Sequence, residues 1–316
     1  MQVWQGLGQV PPGTGPSVVT IGNFDGVHAG HREVLARVVS EARTRGALAV
    51  AMTFDPHPAV VHRPGEAPPQ LTGLADKLTL LAETGLDAVL VVAYTADFAA
   101  QPAERFVRRY LVDSLAPVLV VVGHDVRFGA GNAGDRATMA QLGERFGFEV
   151  DVLEDVLDPD EQRRWSSTWA RALLAEGNVE ELAELLGRPH HMRGAVVHGE
   201  ARGRQLGFPT ANLDPASAGA VPADGVYAGW LVRDGGAGDR LPAAISVGTN
   251  PTFDGETRQV EAHVIGRTDL DLYGEEVVVE FVALLRPTLR FDGIDPLVAQ
   301  MHADCARALA ILGVAR

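Results

Sequence analysis

In the first half of the chain, apolar residues cluster in short runs that alternate with stretches where they recur every three or four positions. Residues 18–21, 47–53, 88–93, 118–122 and 148–153 are nearly all apolar, the pattern of strands buried on both faces. Between them, residues 31–43 place Val34, Leu35, Val38 and Val39 on one helical stripe, and residues 102–115, 139–146 and 168–186 also read as helices. Strands alternating with helices at this spacing predict βαβ units and a parallel sheet. Near Arg188-Pro189-His190-His191 the texture changes. Six short strand-like runs follow, at 194–198, 210–213, 226–232, 243–247, 259–265 and 277–285, separated by Gly, Pro and Asp. That succession predicts a small six-stranded antiparallel β-barrel. Residues 296–312 carry Leu297, Met301, Cys305, Ala308, Leu309 and Leu312 at helical spacing, a C-terminal helix. The change of pattern puts a boundary within 186–192, giving domains 1–187 and 188–316.

Composition narrows the class. A length of 316 residues suggests about two domains. An apolar fraction of 46% with 22% charged residues excludes disordered and low-complexity chains. Uninterrupted apolar runs such as residues 116–122 fall far short of the ~20 residues of a membrane-spanning helix. Met1-Gln2-Val3-Trp4-Gln5 lacks the basic-then-apolar order of a secretory signal, and one cysteine, Cys305, cannot pair within the chain. A cytoplasmic protein is therefore expected. Its formal charge of −14 opposes loose binding to nucleic acid or anionic membrane. It leaves room for a small phosphorylated ligand, because phosphate sites are local arrangements of N–H groups and a few cations.

The first chemical constellation follows the first strand: Gly22-Asn23-Phe24-Asp25-Gly26-Val27-His28-Ala29-Gly30-His31. Ligands of open α/β sheets bind beyond the carboxyl ends of strands, where helix N-termini present free N–H groups. Histidines three apart in a first helical turn share a face and can donate to phosphate oxygens. Read from spacing alone, the stretch is either such a site or a glycine-containing turn with two surface histidines. Further on, Trp165-Ser166-Ser167-Thr168 precedes Arg171. Ser167 and Thr168 suit a helix cap, and Arg171 can fork onto phosphate oxygens.

Together, in this chain order, the two motifs resemble the signature of bacterial bifunctional riboflavin kinase/FAD synthetases. The resemblance implies a Rossmann-like nucleotidyltransferase domain that adenylylates FMN. It implies that His28, His31 and Arg171 act in catalysis and that Gly22, Gly30, Ser167 and Thr168 bind nucleotide phosphates. Phe54-Asp55-Pro56-His57-Pro58 and Gly123-His124-Asp125-Val126-Arg127-Phe128-Gly129 match the same family at two more strand ends. By resemblance, Asn23, Asp25, Phe54, Pro56, His57 and Asp125 are the flavin-binding set. Val126, Asn132 and Trp165 depart from the residues usual in the family.

The second constellation is Gly199-Glu200-Ala201-Arg202-Gly203-Arg204-Gln205-Leu206-Gly207-Phe208-Pro209-Thr210-Ala211-Asn212. Read from spacing alone, Gly199, Gly203 and Gly207, interleaved with Arg202 and Arg204, make either a flexible cationic loop suited to phosphates or a generic Gly-Arg turn before a strand. Thr210 and Asn212, two apart on an expected strand, share a face and offer hard oxygen donors that suit Mg²⁺. The motif Gly-x-Pro-Thr-Ala-Asn at 207–212 resembles the riboflavin kinase module. So do Gly225-Val226-Tyr227-Ala228-Gly229, Gly248-Thr249-Asn250-Pro251-Thr252-Phe253, Val260-Glu261-Ala262-His263 and Asp271-Leu272-Tyr273-Gly274. By that resemblance Glu261 is the catalytic carboxylate, a general base for an alcohol. Gly266 stands where the family usually has an acid.

A Walker loop, a Gly-x-Ser-x-Gly elbow and metal-site histidine spacing are absent from the sequence. The expected protein is a Mg²⁺-dependent enzyme that converts riboflavin to FMN and FMN to FAD, with ATP as co-substrate twice. The readings weighed against it are a nucleotidyltransferase acting on another small phosphate, a non-enzymatic flavin or nucleotide sensor, and a chain with one working activity.

Overall fold

The computed structural model describes residues 1–154, 157, 163–199, 203, 206–233, 239–252 and 255–314, with backbone alone at 250–252 and 255–257. The chain divides into two compact units, Met1–Pro68 with Leu74–Ser166 and Pro69–Gly73 with Ser167–Arg316.

In the first unit, strands β1 (Gln2–Gln5), β2 (Ser17–Ile21), β3 (Leu48–Asp55), β4 (Ala88–Ala93), β5 (Pro117–Gly123) and β6 (Glu149–Leu153) form one sheet in the order β1-β4-β3-β2-β5-β6. Every pairing is parallel. The continuous apolar runs are explained by two cores, one on each face. Val19, Val50, Met52, Leu90 and Val120 face one; Val18, Ala49, Ala51, Val89 and Val121 face the other. Helix α1 (Ala29–Arg45) buries Leu35, Val38 and Ala42 on the second face and stops at Gly46, which is left-handed. Helix α2 (Leu74–Ala82) packs Leu80 and Leu81 into the same core. Residues of Ala103–Phe106, Val107–Val112 and Asp113–Leu115 run on as one helix, α3, with a π turn in its middle. Helix α4 (Arg136–Phe146) is capped by Asp135, which accepts from Thr138 N at 2.8 Å.

Strand order reverses at β2, which has β3 on one side and β5 on the other. Loops leaving β2 and β5 therefore diverge, and a crevice opens between them.

The expected helix over 168–186 is two helices, α5 (Ser167–Glu176) and α6 (Val179–Leu186), separated at Gly177-Asn178. Gly177 is left-handed, and Asn178 caps α6 by accepting from Glu181 N. Ser167 and Thr168 lie inside the first turn of α5, not ahead of it.

Strands β7 (His190–Val197), β8 (Ala211–Leu213), β9 (Gly225–Arg233), β10 (Arg240–Thr252), β11 (Gly255–Val264) and β12 (Glu276–Arg286) close an antiparallel barrel in the order β10-β11-β8-β7-β12-β9. Helix α7 (Ile294–Leu312) packs on β9, β10 and β12. A buried ion pair fixes it: Arg286 Nη2 lies 2.9 Å from Asp304 Oδ2, and Gln300 Nε2 donates to Asp304 Oδ1 at 2.8 Å. Removing one partner leaves a buried charge unpaired, a loss of about 3–5 kcal/mol. Asp304→Ala is therefore expected to lower the unfolding free energy of the barrel unit by about 3 kcal/mol in urea titrations.

Candidate functional site

The loop from β2 to α1 turns tightly enough to force Phe24 (φ 48°) and Val27 (φ 41°) into left-handed backbone. Its end is capped by a histidine. His28 is the residue before α1, and its Nδ1 accepts from His31 N at 3.3 Å. Accepting there places the proton of the neutral ring on Nε2. The His28 and His31 rings stack, with centroids 3.6 Å apart and planes 21° from parallel, and Phe24 meets His31 edge-on at 5.3 Å. Gly30 makes the stack possible, because a Cβ there would lie 3.3 Å from the His28 ring and 3.4 Å from the Trp165 carbonyl. Gly22 sits likewise under Phe24.

Burial holds the His31 imidazole well below its ordinary pKa, and the charges of His28, Arg164 and Lys77 push the same way. Among the described residues its Nδ1 has no hydrogen-bond partner. The pair thus presents two stacked imidazoles, with His31 held neutral by burial, at a helix N-terminus at the sheet's switch point. Such a ring can donate one hydrogen bond and accept another without bringing charge.

The expected flavin residues gather at the same strand ends. Asn23 and Asp25 leave β2; Phe54 ends in β3; Pro56 and His57 follow it, with His57 Nδ1 accepting from Ala59 N at 3.1 Å. Phe54 joins an edge-on aromatic group with Tyr94 and Phe98, and His62 Nε2 lies 2.7 Å from the Tyr94 hydroxyl. Asp125, after β5, pairs with Arg164 at 2.6 Å.

Ser167, Thr168 and Arg171 belong to the second compact unit. The Arg171 guanidinium donates to the Pro69 carbonyl at 2.8 Å and to the Ser167 carbonyl at 3.3 Å.

In the barrel, Glu261 stands opposite Asn212 of β8 and Ser246 of β10. Thr210 lies just ahead of β8, and its Oγ1 donates to Glu261 Oε2 at 3.3 Å. Asn212 Nδ2 is 3.3 Å from the Thr210 carbonyl, so the three side chains expected to carry the chemistry meet. Gly199 lies against Asn212; a Cβ there would be 2.6 Å from its amide. Gly207 turns with φ 87°, and beside it a cleft of about 500 Å³ is lined by Pro209, Thr268, Leu270, Asp271 and Tyr273. His263 Nδ1 and the Pro209 carbonyl are 2.8 Å apart. Burial lowers this imidazole's pKa and the carbonyl partly offsets it. Arg202 and Arg204 lie outside the described residues.

Three side chains absent from the sequence reading stand in these sites. Lys77 of α2 is buried and donates to the carbonyls of Asn23 and Phe54. Arg164 bears on His31, and Tyr94 joins Phe54. Two departures from the family pattern have a backbone cause: Asn132 (φ 57°) and Gly266 (φ 79°) both hold left-handed positions, which these residue types tolerate.

Among the described residues no group of three or more His, Cys, Asp or Glu is placed to hold a metal. The side-chain oxygens of Thr210 and Asn212 are instead hard donors of the kind Mg²⁺ takes together with waters and substrate phosphates.

A switch-point phosphate loop in one unit, and a carboxylate among hard oxygen donors in the other, mark an enzyme of phosphate transfer. A family model described as FAD synthetase matches residues 11–169, and one described as riboflavin kinase matches residues 186–312. The bifunctional riboflavin kinase/FMN adenylyltransferase of Escherichia coli (strain K12) is 39% identical over 300 residues, covering 95% of this chain and 94% of its own. Its namesake in Listeria monocytogenes is 35% identical over 289 residues, covering 91% and 90%. A solved structure from Streptococcus pneumoniae described as a macrolide-efflux protein superposes with a TM-score of 0.85 at 32% identity, over 96% of each chain. The chain belongs to the family of bifunctional riboflavin kinase/FMN adenylyltransferases. Among its described residues no helix is long and apolar enough to cross a membrane.

The burial of His31 has a direct spectroscopic consequence. Its ring is expected to titrate below the ordinary imidazole range in ¹H–¹⁵N spectra; a midpoint at or above the ordinary ~6.5 would contradict the stacked, buried placement.

Proposed function

We propose that the chain makes FAD from riboflavin in two ATP-dependent steps, with residues 1–187 carrying adenylyl transfer and residues 188–316 carrying the kinase. The observation behind this reading is that the His28–His31 turn forms in the parallel-sheet unit and the Thr210–Glu261 pair in the barrel, in a chain matching both family models.

In the barrel, Glu261 accepts the proton of the riboflavin 5′-hydroxyl as that oxygen attacks the γ-phosphorus of ATP. The new O–P bond gives FMN, and ADP leaves with the electrons of the broken bond. Thr210 and Asn212 would hold Mg²⁺, which supplies charge neutralisation for the phosphates. Thr210 also donates to Glu261, so the hydroxyl orients the base as well.

In the parallel-sheet unit, a phosphate oxygen of FMN attacks the α-phosphorus of a second ATP. Pyrophosphate leaves and FAD forms. The nucleophile is already an anion, so no side chain has to remove a proton. His28 and His31 donate hydrogen bonds to oxygens whose charge changes, beside the N-terminus of α1. Neutral rings suit that role, because they stabilise the transition state without binding the ground-state phosphates as tightly as cations would. Asn23, Asp25, Phe54, Pro56, His57 and Asp125 are the proposed flavin contacts. On the strength of the motif, Gly22, Gly30, Ser167, Thr168 and Arg171 serve the phosphates of this step, and Gly199, Arg202, Arg204 and Gly207 those of the kinase. The protein works in the cytoplasm, where its substrates are the neutral riboflavin and the small anions FMN and ATP, not nucleic acid.

Two variants separate the steps. With riboflavin, ATP and Mg²⁺, Glu261→Ala should lose FMN formation at least a hundredfold while converting added FMN to FAD normally, read by chromatography of flavins. His28→Ala should do the reverse. Loss of the opposite step in either variant would contradict the assignment.

A further inference from the structure

Lys77 is a lysine in an apolar place. It lies on α2 among Leu74, Leu78, Leu80 and Leu81, and it is 7% exposed. Its Nζ is 3.3 Å from the Asn23 carbonyl and 3.2 Å from the Phe54 carbonyl. These carbonyls belong to the residues at which β2 and β3 pass into the two loops of the adenylyl-transfer site. The Asn23 carbonyl also accepts from Thr53 Oγ1 at 3.1 Å, so three elements converge on it.

A buried ammonium is costly unless donors and charges around it are satisfied. Burial lowers the Lys77 pKa, and the opposite charges of Asp25 and Asp55 offset this in part, while the two carbonyls accept from its ammonium. Its own charge reaches His31, which also faces His28 and Arg164. Methionine or leucine would fill the same volume on α2 without the desolvation cost. The cation is therefore retained for what it holds.

We propose that Lys77 is a positioning residue for adenylyl transfer, tying the carboxyl ends of β2 and β3 so that the His28–His31 turn keeps its geometry. This rests on the reading of that turn as the adenylyl-transfer site. Two consequences separate it from a plain core contact. Loss of the tie acts on turnover more than on ATP binding, because it is alignment that suffers. Loss of the positive charge makes His31 easier to protonate, so the acid limb of FAD formation moves to higher pH.

The test uses the full chain with FMN, ATP and Mg²⁺. Lys77→Met is expected to lower kcat for FAD formation at least tenfold, with KM for ATP changed less than threefold. The acid limb should rise by half a pH unit or more, and riboflavin phosphorylation should stay within twofold. Lys77→Arg, which keeps the charge, should leave the acid limb in place. FAD formation within twofold of the unaltered chain would overturn the proposal. So would a tenfold loss with a lowered Tm and an unmoved acid limb, which would make Lys77 a core contact only. His28→Ala serves as the control: if it still forms FAD, the site reading itself fails, whereas its loss alongside an active Lys77→Met overturns the Lys77 proposal alone.

Discussion

A single hydrogen bond organises the phosphate loop: the His31 amide donates to His28 Nδ1. One N–H at a helix start must find a partner outside the helix, and serine, threonine or aspartate usually supplies it. Here an imidazole does. The choice fixes the tautomer of His28, brings its ring over His31, and crowds position 30, where a Cβ would lie 3.3 Å from the His28 ring. Cap, catalytic group and glycine are thus one steric solution. Stacking also favours neutrality, because two protonated rings 3.6 Å apart would repel.

The two units handle phosphate by different physics. On the proposed assignment, the parallel sheet meets a nucleophile that needs no activation with main-chain N–H groups and imidazole donors at a switch point. The barrel would meet an alcohol that must lose a proton with a carboxylate and oxygen donors. Neither needs a strongly positive surface, which reconciles a formal charge of −14 with substrates that are anions. At the distances of a bound ligand, local groups outweigh a bulk charge that salt screens.

Much of this was legible in the chain, and the exceptions share a cause. Strands β2 to β5 announce themselves because both faces are largely buried, so each is an apolar run, whereas β6, at one edge, alternates Glu149 and Asp151 with apolar residues and is only half-buried. Strand β1 does not announce itself: among Gln2, Val3, Trp4 and Gln5 only Trp4 is buried, as befits an edge. The histidine motif is contiguous and could be read directly. The meeting of Thr210 with Glu261 is set by barrel register, which motifs imply only through family likeness. Lys77 left one signal, a charge on the apolar stripe of Leu74, Leu78 and Leu81, but nothing in the pattern says which carbonyls it would reach. The break at Gly177-Asn178 follows from a left-handed glycine and a capping asparagine, a local device inside an otherwise unbroken periodicity.

Strand β8 is three residues long. It joins β11 through two register pairs and β7 through two more, while β10 and β11 share a ladder along most of their length. The barrel is thus closed most thinly at the stave that carries Asn212 and abuts Thr210. Local opening draws on the least-bonded segments of a fold. An opening there would part Asn212 and Thr210 from Glu261 while leaving the long β10–β11 ladder paired, so the geometry around the carboxylate depends on four register pairs.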